Sequence, residues 1–354
     1  MDLPKMRTEL NAQRRKVSFN TYDITVDELV RRVATKKIEV APSYQREFRW
    51  DAERQSRLVE SLFLGIPVPN LFMATNSDSA SGLEWEVVDG LQRTLTLVSF
   101  AGNADQRQAA GLLGKPLTLT GLEKLTSFNG LTFEELPADL SDLLLIRPMK
   151  VTVLDDLSDK RVRFDLFERL NTGGIKLTDQ EIRECIFRGP FIELLRELSV
   201  NPDFRTVVRV PKRKEKDGTL EECVLRFFAF HDDYLKFDHS VRDFLNNYTD
   251  KHADDDADAL RNFRTCFEST FQFLAKCFPE GATRSRSTTP VNYFEGIAVG
   301  AALAIEARPD IEPSAEQDWV ADKKFVQAIT GATNSRPRVQ FRIEYARDGF
   351  LRNA

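Results

Sequence analysis

In the first half of the chain, stretches with the apolar spacing of a helix alternate with stretches that are typical of strands. Apolar residues recur at helical spacing in "VDELVRRVA" and "AERQSRLVESLFLG", whereas "EWEVVD" and "RPMKVTVLDD" contain short apolar runs typical of strands. Thr25 with Glu28, and Thr178 with Glu181, match the capping box that begins a helix, and Asp51 can cap the second helical stretch. These patterns predict a mixed α/β region.

The second half of the chain has helical periodicity alone. From about Phe191 onward, the spacing predicts helices in "FIELLRELS", "LEECVLRFFAFHDDYL", "VRDFLNNY", "ALRNFRTCFESTFQFLAKCF" and "VNYFEGIAVGAALAI". Neither an internal repeat nor a low-complexity linker separates the two halves. We therefore expect an α+β protein with two domains, residues 17–190 and residues 191–354, and we expect the helical domain to pack tightly on the first.

Composition is typical of a globular protein without a membrane span. The 354 residues are 42% apolar and 30% charged, and no apolar run approaches the length of a spanning helix. The first residues, "MDLPKMRTELNAQRRK", are charged and lack the apolar region of a secretory signal. Four scattered cysteines without a CxxC pair are typical of reduced thiols, so we predict a cytoplasmic location.

Charge limits the ways in which the chain could bind nucleic acid. The net charge is −5, so the whole chain lacks the positive field of a protein that coats DNA. Three local basic segments remain, "RVPKRKEK", "TRSRS" and "SRPRVQFR", and ordinary solvated loops are the alternative for each. We predict DNA contacts at Lys212, Arg213, Lys214, Arg284 and Arg286.

Metal-ligating patterns are missing from the sequence. The three histidines have no metal-ligand spacing with cysteine or with one another. This argues against an HNH-type or zinc-dependent nuclease within the chain.

The segment "EWEVVDGLQRTLTLVSF" changes from strand to helix at a polar joint, Asp89 to Arg93. A helix that begins after Gly90 has free N–H groups and partial positive charge at its start, so it can bind phosphate. Arg93 could bind phosphate oxygens, and Gln92 could add a neutral contact. Asp89 would repel a bare phosphate but could hold magnesium that arrives with a nucleotide. The simpler alternative is a turn in which Asp89 caps the helix and Arg93 lies on the surface.

Two other stretches combine residue types suited to a nucleotide. In "YQREFRW", two arginines stand among aromatic rings, a combination suited to phosphates and bases. The alternative is an irregular edge segment with Phe48 and Trp50 in the core. In "RLNTGGIKLT", Asn171 and Thr172 precede two glycines, and a simple helix end is the alternative there.

Together these stretches resemble the N-terminal domain of GmrSD-type restriction endonucleases, which also occurs in related phage-defence proteins. The chain has the family's four motifs in order, as "YQREFRW", "SLFLGIPVP", "DGLQR" and "RLNTGGIKLTDQEIR", and the resemblance covers residues 17 to 190 well. It implies a fold similar to ParB and sulfiredoxin, a small mixed sheet with helices in which a Gly-x-x-Arg loop at a helix start binds nucleotide phosphates.

The resemblance also implies that the chain binds a nucleoside triphosphate (NTP) with Mg²⁺ and hydrolyses it. Asp89 and Arg93 would then be catalytic, and Asp89 would also be the metal ligand. Asp89 or Glu168 could orient the attacking water. The nucleotide would be bound by Tyr44, Gln45, Arg46, Gly90, Gln92, Asn171 and Thr172.

Two departures from the family bear on this expectation. The family has Gln at the position of Leu91, so an amide is lost beside the phosphate, which could weaken hydrolysis while leaving binding. Many members also continue into an HNH nuclease domain with a histidine-based metal site, and the histidines here do not supply one. We therefore expect a separate effector nuclease subunit as a partner.

Three functions are consistent with the sequence. The first is an NTP-dependent sensor or regulatory component of a DNA restriction or anti-phage defence system. The second is a non-catalytic DNA-binding or scaffold module whose pocket is a ligand switch. The third is a ParB-like nuclease, which would need Glu168, Asp179 and Glu181 to join Asp89 in a metal site. The Phe-rich helical half could also supply a homodimer interface.

Overall fold

The computed structural model describes most of the chain, namely residues 3–13, 18–40, 50–76, 84–155, 164, 166, 169, 178–187, 189–215, 217–284, 288–331 and 334–352. The chain divides into two compact units, Met1–Lys176 and Leu177–Ala354. This division precedes the boundary predicted after residue 190, and the predicted tight packing of the two domains stays a prediction. The α+β class and the helical character of the C-terminal region are confirmed.

Within the described residues, the first unit contains a five-stranded mixed sheet in the order β1-β5-β3-β4-β2. Its strands are β1 (Phe19–Thr25), β2 (Ile38–Glu39), β3 (Leu71–Asn76), β4 (Glu84–Asp89) and β5 (Pro148–Leu154). β1 pairs antiparallel with β5 and β3 pairs antiparallel with β4, while the β3–β5 and β2–β4 pairs are parallel. The sheet therefore combines both orientations, and β3 and β4 lie in its interior.

The sheet is curved, because residues from distant strands meet. The ring centroid of Tyr22 on β1 lies 5.0 Å from that of Trp85 on β4, although β5 and β3 lie between these strands. The guanidinium carbon of Arg32 lies 4.8 Å from the centroid of the same indole. A flat sheet with strands about 4.8 Å apart could not bring Tyr22 and Trp85 into contact.

Six α-helices with defined ends are described in the first unit: α1 (Leu3–Gln13), α2 (Val26–Ala34), α3 (Ala52–Phe63), α4 (Leu91–Ala101), α5 (Ala104–Ala109) and α6 (Ala138–Leu145). Asp51 caps α3 as predicted, since its carboxylate accepts a hydrogen bond of 2.8 Å from the Arg54 N–H. Thr25 caps α2, but the carboxylate of Glu28 pairs with Arg32, so only one half of that predicted capping box forms.

The second unit is helical in its described part. Its helices are α7 (Asp179–Ile186), α8 (Pro190–Ser199), α9 (Pro202–Val207), α10 (Thr219–Asp233), α11 (Val241–His252), α12 (Ala257–Cys277), α13 (Val291–Ala307), α14 (Lys323–Ala328) and α15 (Arg336–Arg352). The predicted capping box of Thr178 and Glu181 is confirmed at the start of α7. A Cβ on Gly300 of α13 would lie 2.6 Å from the Cβ of Ala346 on α15, so glycine permits this close helix pair.

A chain of five alternating charges runs through the interior of the second unit. Arg183 pairs with Glu222, Glu222 with Arg226, Arg226 with Glu295, and Glu295 with Arg342. Burial alone would raise the pKa of Glu222, but the charges of Arg226 and Arg183 outweigh burial and hold that pKa at about 2. Arg342, from the basic stretch "SRPRVQFR", is fully buried, so it does not belong to a solvated basic loop.

Candidate functional site

The joint between β4 and α4 requires glycine at position 90. Gly90 has φ of 102°, in the left-handed region, and a Cβ there would lie 2.4 Å from Cδ2 of Leu71. Gly90 is also the N-cap of α4, and it has no side chain to cap the helix. The backbone therefore turns sharply and leaves the amino end of α4 without a cap from its own N-cap residue.

Arg93 is a mostly buried side chain that forms hydrogen bonds at the joint. Its guanidinium donates to Oδ2 of Asp89 at 2.7 Å and to the carbonyl oxygen of Pro69 at 2.7 Å. Only 10% of its side chain is exposed, so Arg93 does not lie on the surface as the simple-turn alternative required. Pro69 belongs to the "SLFLGIPVP" motif, so Arg93 connects two of the four motifs. The predicted contact of Arg93 with phosphate stays a prediction.

Asp89 combines a fixed position with an available oxygen. Its side chain is 37% exposed, and its Oδ2 is held by Arg93. Oδ1 has no hydrogen-bond partner among the described residues, and the carboxylate does not cap α4. Such an oxygen can bind a hard cation such as Mg²⁺. In the described part of the chain, no cluster of three or more His, Cys, Asp or Glu side chains could hold a metal ion by itself.

Gln92 connects the joint to a third motif. Its side-chain oxygen accepts a hydrogen bond of 3.1 Å from the backbone N–H of Trp50, the last residue of "YQREFRW". Gln55 on α3 donates to the carbonyl oxygen of the same tryptophan at 2.8 Å. Trp50 is thus tied to α4 and to α3 through both of its backbone polar groups.

Leu91 lies in the hydrophobic core of the first unit and is 8% exposed. Because its side chain is buried among apolar neighbours, position 91 contributes packing rather than a polar group at the joint. The expected effect of leucine at this position on hydrolysis stays a prediction.

Several predicted site residues lie outside the described residues, namely Tyr44, Gln45, Arg46, Glu168, Asn171, Thr172 and Arg286. Their roles stay predictions. Of the two other carboxylates that a nuclease site would need, Glu181 accepts a hydrogen bond from the Thr178 N–H within the capping box of α7. Asp179 lies in the first turn of the same helix, which belongs to the second unit.

Two basic segments that are far apart in sequence meet in the second unit. The backbone N–H of Thr289 donates to the carbonyl oxygen of Arg209 at 2.9 Å, and the N–H of Arg209 donates to Oγ1 of Thr289 at 3.0 Å. We call residues 209–215, with 282–284 and 288–289, the basic loop pair. It includes the predicted DNA contacts Lys212, Arg213, Lys214 and Arg284.

Sequence reasoning missed two residues that contact the joint between β4 and α4. Pro69 and Trp50 contribute backbone groups, which side-chain chemistry does not single out. A signal was nevertheless present, because both residues end motifs whose spacing matches the family. No local pattern indicated that Arg93 and Gln92 would be the residues that join these motifs.

Comparison with protein families gives a match that covers the joint. The model of the GmrSD restriction endonuclease N-terminal domain matches residues 27–188, which include all four motifs. A comparison with curated proteins gave no match. In the described part of the chain, no helix has the length and apolar character needed to cross a bilayer. Residues 27–188 of this chain therefore belong to the family of GmrSD restriction endonuclease N-terminal domains.

Proposed function

We propose that the first unit binds a nucleoside triphosphate with Mg²⁺ at the amino end of α4 and hydrolyses it. Nucleotide occupancy would then regulate the action of a DNA restriction or anti-phage defence system. The observation that carries this proposal is the Asp89 carboxylate, which Arg93 holds in place while Oδ1 stays without a partner among the described residues. Membership in a restriction endonuclease domain family supports DNA as the target of the system.

The proposed chemistry uses three features of the joint. The amino end of α4 offers backbone N–H groups and partial positive charge to the phosphates. Oδ1 of Asp89 would bind the Mg²⁺ that arrives with the nucleotide, which usually needs only one or two protein carboxylates. Arg93 would keep that carboxylate aimed, since it already donates to Oδ2.

Hydrolysis in this proposal is the attack of water on the γ-phosphorus, with cleavage of the bond to the bridging oxygen and release of the nucleoside diphosphate and inorganic phosphate. Asp89, or Glu168, would orient the water. Tyr44, Gln45, Arg46, Asn171 and Thr172 would complete the pocket. A separate effector nuclease subunit would cut the DNA.

The first experiment compares wild type with Asp89→Asn in NTP binding and phosphate release, each with and without Mg²⁺. Asparagine keeps an oxygen that Arg93 can bind but removes the charge that attracts the metal. We expect at least a tenfold loss of Mg²⁺-dependent turnover, the size typical of a lost charged interaction with a metal. Asp139→Asn, at an exposed position of α6, is the matched control and should behave as wild type. Equal turnover of Asp89→Asn and wild type would contradict the role of Asp89.

The second candidate is a DNA-binding module without nucleotide turnover. One observation favours it, the backbone pairing of Arg209 with Thr289 that brings two basic segments together. Such a surface would bind DNA phosphates through charge, and binding would fall steeply with salt. This candidate would lead if wild type bound DNA but released no phosphate from any nucleotide.

The test of this surface is the combined substitution of Lys212, Arg213 and Lys214 by alanine. For every DNA phosphate that the variant no longer binds, the slope of log binding constant against log salt should become shallower by about 0.9. The slope is measured by fluorescence anisotropy of a labelled DNA duplex. The control replaces the exposed Lys323 and Lys324 at the start of α14. An unchanged slope in the triple variant would remove the basic loop pair from the DNA interface.

A further inference from the structure

We propose that one face of α15 in the second unit binds single-stranded DNA by stacking a base on the ring of Phe341. The face consists of Arg338, Phe341, Tyr345 and Arg352, and we call these residues the α15 stripe. The choice of DNA as the strand rests on the proposed function, whereas the stacking surface stands on the geometry of the second unit alone.

Helical spacing divides α15 between the core and the surface. Members of the α15 stripe follow one another by one or two helical turns, so they share a face of the helix. Arg338, Phe341 and Arg352 are exposed, and Tyr345 is partly exposed. Arg342 of the same basic segment is fully buried and pairs with Glu295. The segment "SRPRVQFR" therefore contributes one arginine and one aromatic ring to this face.

Phe341 is the outermost of three rings that stack in a row. The ring centroids of Phe341 and Tyr345 lie 5.3 Å apart, with an angle of 29° between the ring planes. The centroid of Tyr345 lies 5.9 Å from that of Phe325, with an angle of 19°. Phe325 is fully buried, whereas Phe341 is 40% exposed. The row therefore runs from the core to the solvent and ends in an exposed ring, on which a base can stack.

The side chains beside Phe341 are held in place by the protein. The hydroxyl of Tyr345 donates to Oδ2 of Asp322 at 2.5 Å, and the guanidinium carbon of Arg352 lies 5.7 Å from the centroid of the tyrosine ring. Nη1 of Arg338 donates to the carbonyl oxygen of Thr330 at 3.0 Å. The guanidinium of Arg338 has further N–H donors for a phosphate. An ordered surface of this kind loses little conformational entropy when a ligand binds.

The charge of the α15 stripe complements a nucleic-acid strand. Its two arginines flank the aromatic pair along the helix. The acidic side chains beside the stripe have protein partners, since Glu344 accepts a hydrogen bond of 3.0 Å from Gln340, and Asp348 pairs with Arg347 at 2.8 Å. The stripe extends over about 21 Å, which matches several nucleotides at about 3.4 Å each.

Stacking on an exposed ring favours a single strand over a duplex. The bases inside a duplex stack on one another and are not available to a side chain, whereas an unpaired strand can place a base on an aromatic ring. Arginines beside the ring then bind the phosphates of the same strand. The α15 stripe therefore differs from the basic loop pair, which offers charge to duplex DNA.

The first experiment compares wild type with Phe341→Leu and Phe341→Trp in the full chain and without nucleotide. The ligand is a fluorescein-labelled DNA strand of about 12 nucleotides, and binding is measured by anisotropy. Leucine keeps an apolar side chain but removes the aromatic face, so we expect at least about fivefold weaker binding. Tryptophan keeps the aromatic face, so Phe341→Trp should bind at least as tightly as wild type. The control is Val200→Ala, directly after α8, where the valine is 71% exposed.

The tryptophan variant adds a direct measurement of stacking. Its indole at position 341 should lose fluorescence when the single strand binds, because a base stacked on an indole quenches its emission. The emission of Trp50, Trp85 and Trp319 is measured in wild type and subtracted. A duplex of the same sequence should leave the emission at position 341 unchanged, and quenching by the single strand alone would support the proposal.

Arg338→Gln tests the α15 stripe without changing an aromatic residue. Glutamine can still donate to the carbonyl oxygen of Thr330 but has no charge for a phosphate. The slope of log binding constant against log salt for the single strand should become shallower by about 0.7 if Arg338 binds one phosphate. An unchanged slope would count against the proposal.

Four results would overturn the proposal. These are no single-strand binding by wild type, equal binding by Phe341→Leu and wild type, no quenching in Phe341→Trp, and tighter binding of the RNA strand of the same sequence. A changed oligomeric state of Phe341→Leu in sedimentation velocity, with unchanged DNA binding, would instead assign this face to a contact between copies of the chain. Because nucleotide is absent, a failure of the proposed NTP hydrolysis would leave all of these results unaffected.

Discussion

Each unit contains arginine–carboxylate pairs, but the carboxylates of the two units differ in how many of their oxygens have a protein partner. In the second unit, Glu295 is 1% exposed, and its two oxygens are taken by Arg226 and Arg342. In the first unit, Asp89 is 37% exposed, and Arg93 takes only Oδ2. Both oxygens of Glu295 have an arginine partner, whereas Oδ1 of Asp89 is available for a ligand.

The difference follows from the free energy of a buried charge. Moving a carboxylate from water into the protein interior costs several kcal/mol of free energy unless hydrogen-bond partners replace its hydration. Both oxygens of a buried carboxylate therefore tend to have protein partners. A partly exposed one can keep an oxygen in water at little cost. Partners on both oxygens of Glu295 indicate a structural role for that residue, whereas the open oxygen of Asp89 is available for the ligand role proposed above. Four substitutions test this contrast.

The largest effect is expected for Glu295→Ala. This change leaves Arg226 and Arg342 in the interior without their shared partner. Breaking a buried ion pair in this way typically costs about 3–5 kcal/mol in the free energy of unfolding. The measurement is urea denaturation followed by circular dichroism. Arg261→Ala, which breaks a surface pair with Asp258, should cost about 0.5 kcal/mol or less. Similar costs for the two variants would contradict the contrast.

A smaller but substantial effect is expected for Gly90→Ala. The left-handed backbone costs an alanine about 1–2 kcal/mol. The overlap of its Cβ with Leu71 adds about 1–3 kcal/mol. Gly111→Ala is a matched control, because Gly111 also has positive φ but has no atom within 4 Å of the added Cβ. If the two alanines cost the same, the close approach of Leu71 to the joint would be refuted.

A pH dependence of stability is expected from His231, whose two ring nitrogens each contact a carboxylate oxygen. Burial alone would lower its pKa, but the hydrogen bond to Asp232 and the charge of Glu306 outweigh burial and raise the pKa above its usual value. This stabilisation is fully present below about pH 6.5, the unfolded value, and is lost as pH rises through the folded pKa.

The measurement compares the unfolding free energy of wild type and His231→Asn from pH 5.5 to pH 9. We expect a difference of about 1 kcal/mol at the acid end, because the partner carboxylate of Glu306 is half exposed, and a smaller difference at the alkaline end. The control is His239→Asn, since His239 is 80% exposed, and this substitution should change the unfolding free energy little. A difference for His231→Asn that grows with pH would contradict the assigned sign.

The smallest effect on stability is expected for Asp89→Asn. The carboxamide oxygen can still accept from Arg93, and the side chain is partly exposed, so the cost should be about 1 kcal/mol or less. The same urea titration measures it. Together with its expected loss of Mg²⁺-dependent turnover, this result would separate binding from stability. A destabilisation as large as that of Glu295→Ala would show that Asp89 is a structural residue like Glu295.

Much of the local structure could be predicted from the sequence. The caps at Asp51 and Thr178 are confirmed because a cap depends on residues within one turn of a helix. The half-formed capping box at Glu28 shows the limit, because Arg32, one turn further on, competes for the same carboxylate. The interpretation of Arg342 as part of a solvated loop was wrong, since its burial depends on Glu295 from a different helix.

The α+β class, the helical second half, the glycine turn at position 90 and the four motifs of the family can all be read from the amino-acid sequence. These features depend on short-range spacing and on backbone conformation, which neighbouring residues set. The three-dimensional fold was needed to show what Arg93 and Gln92 contact, that Leu91 belongs to the core, and that Arg209 contacts Thr289. Those facts depend on residues between 20 and 80 positions away, whose approach is fixed by packing that no local pattern records.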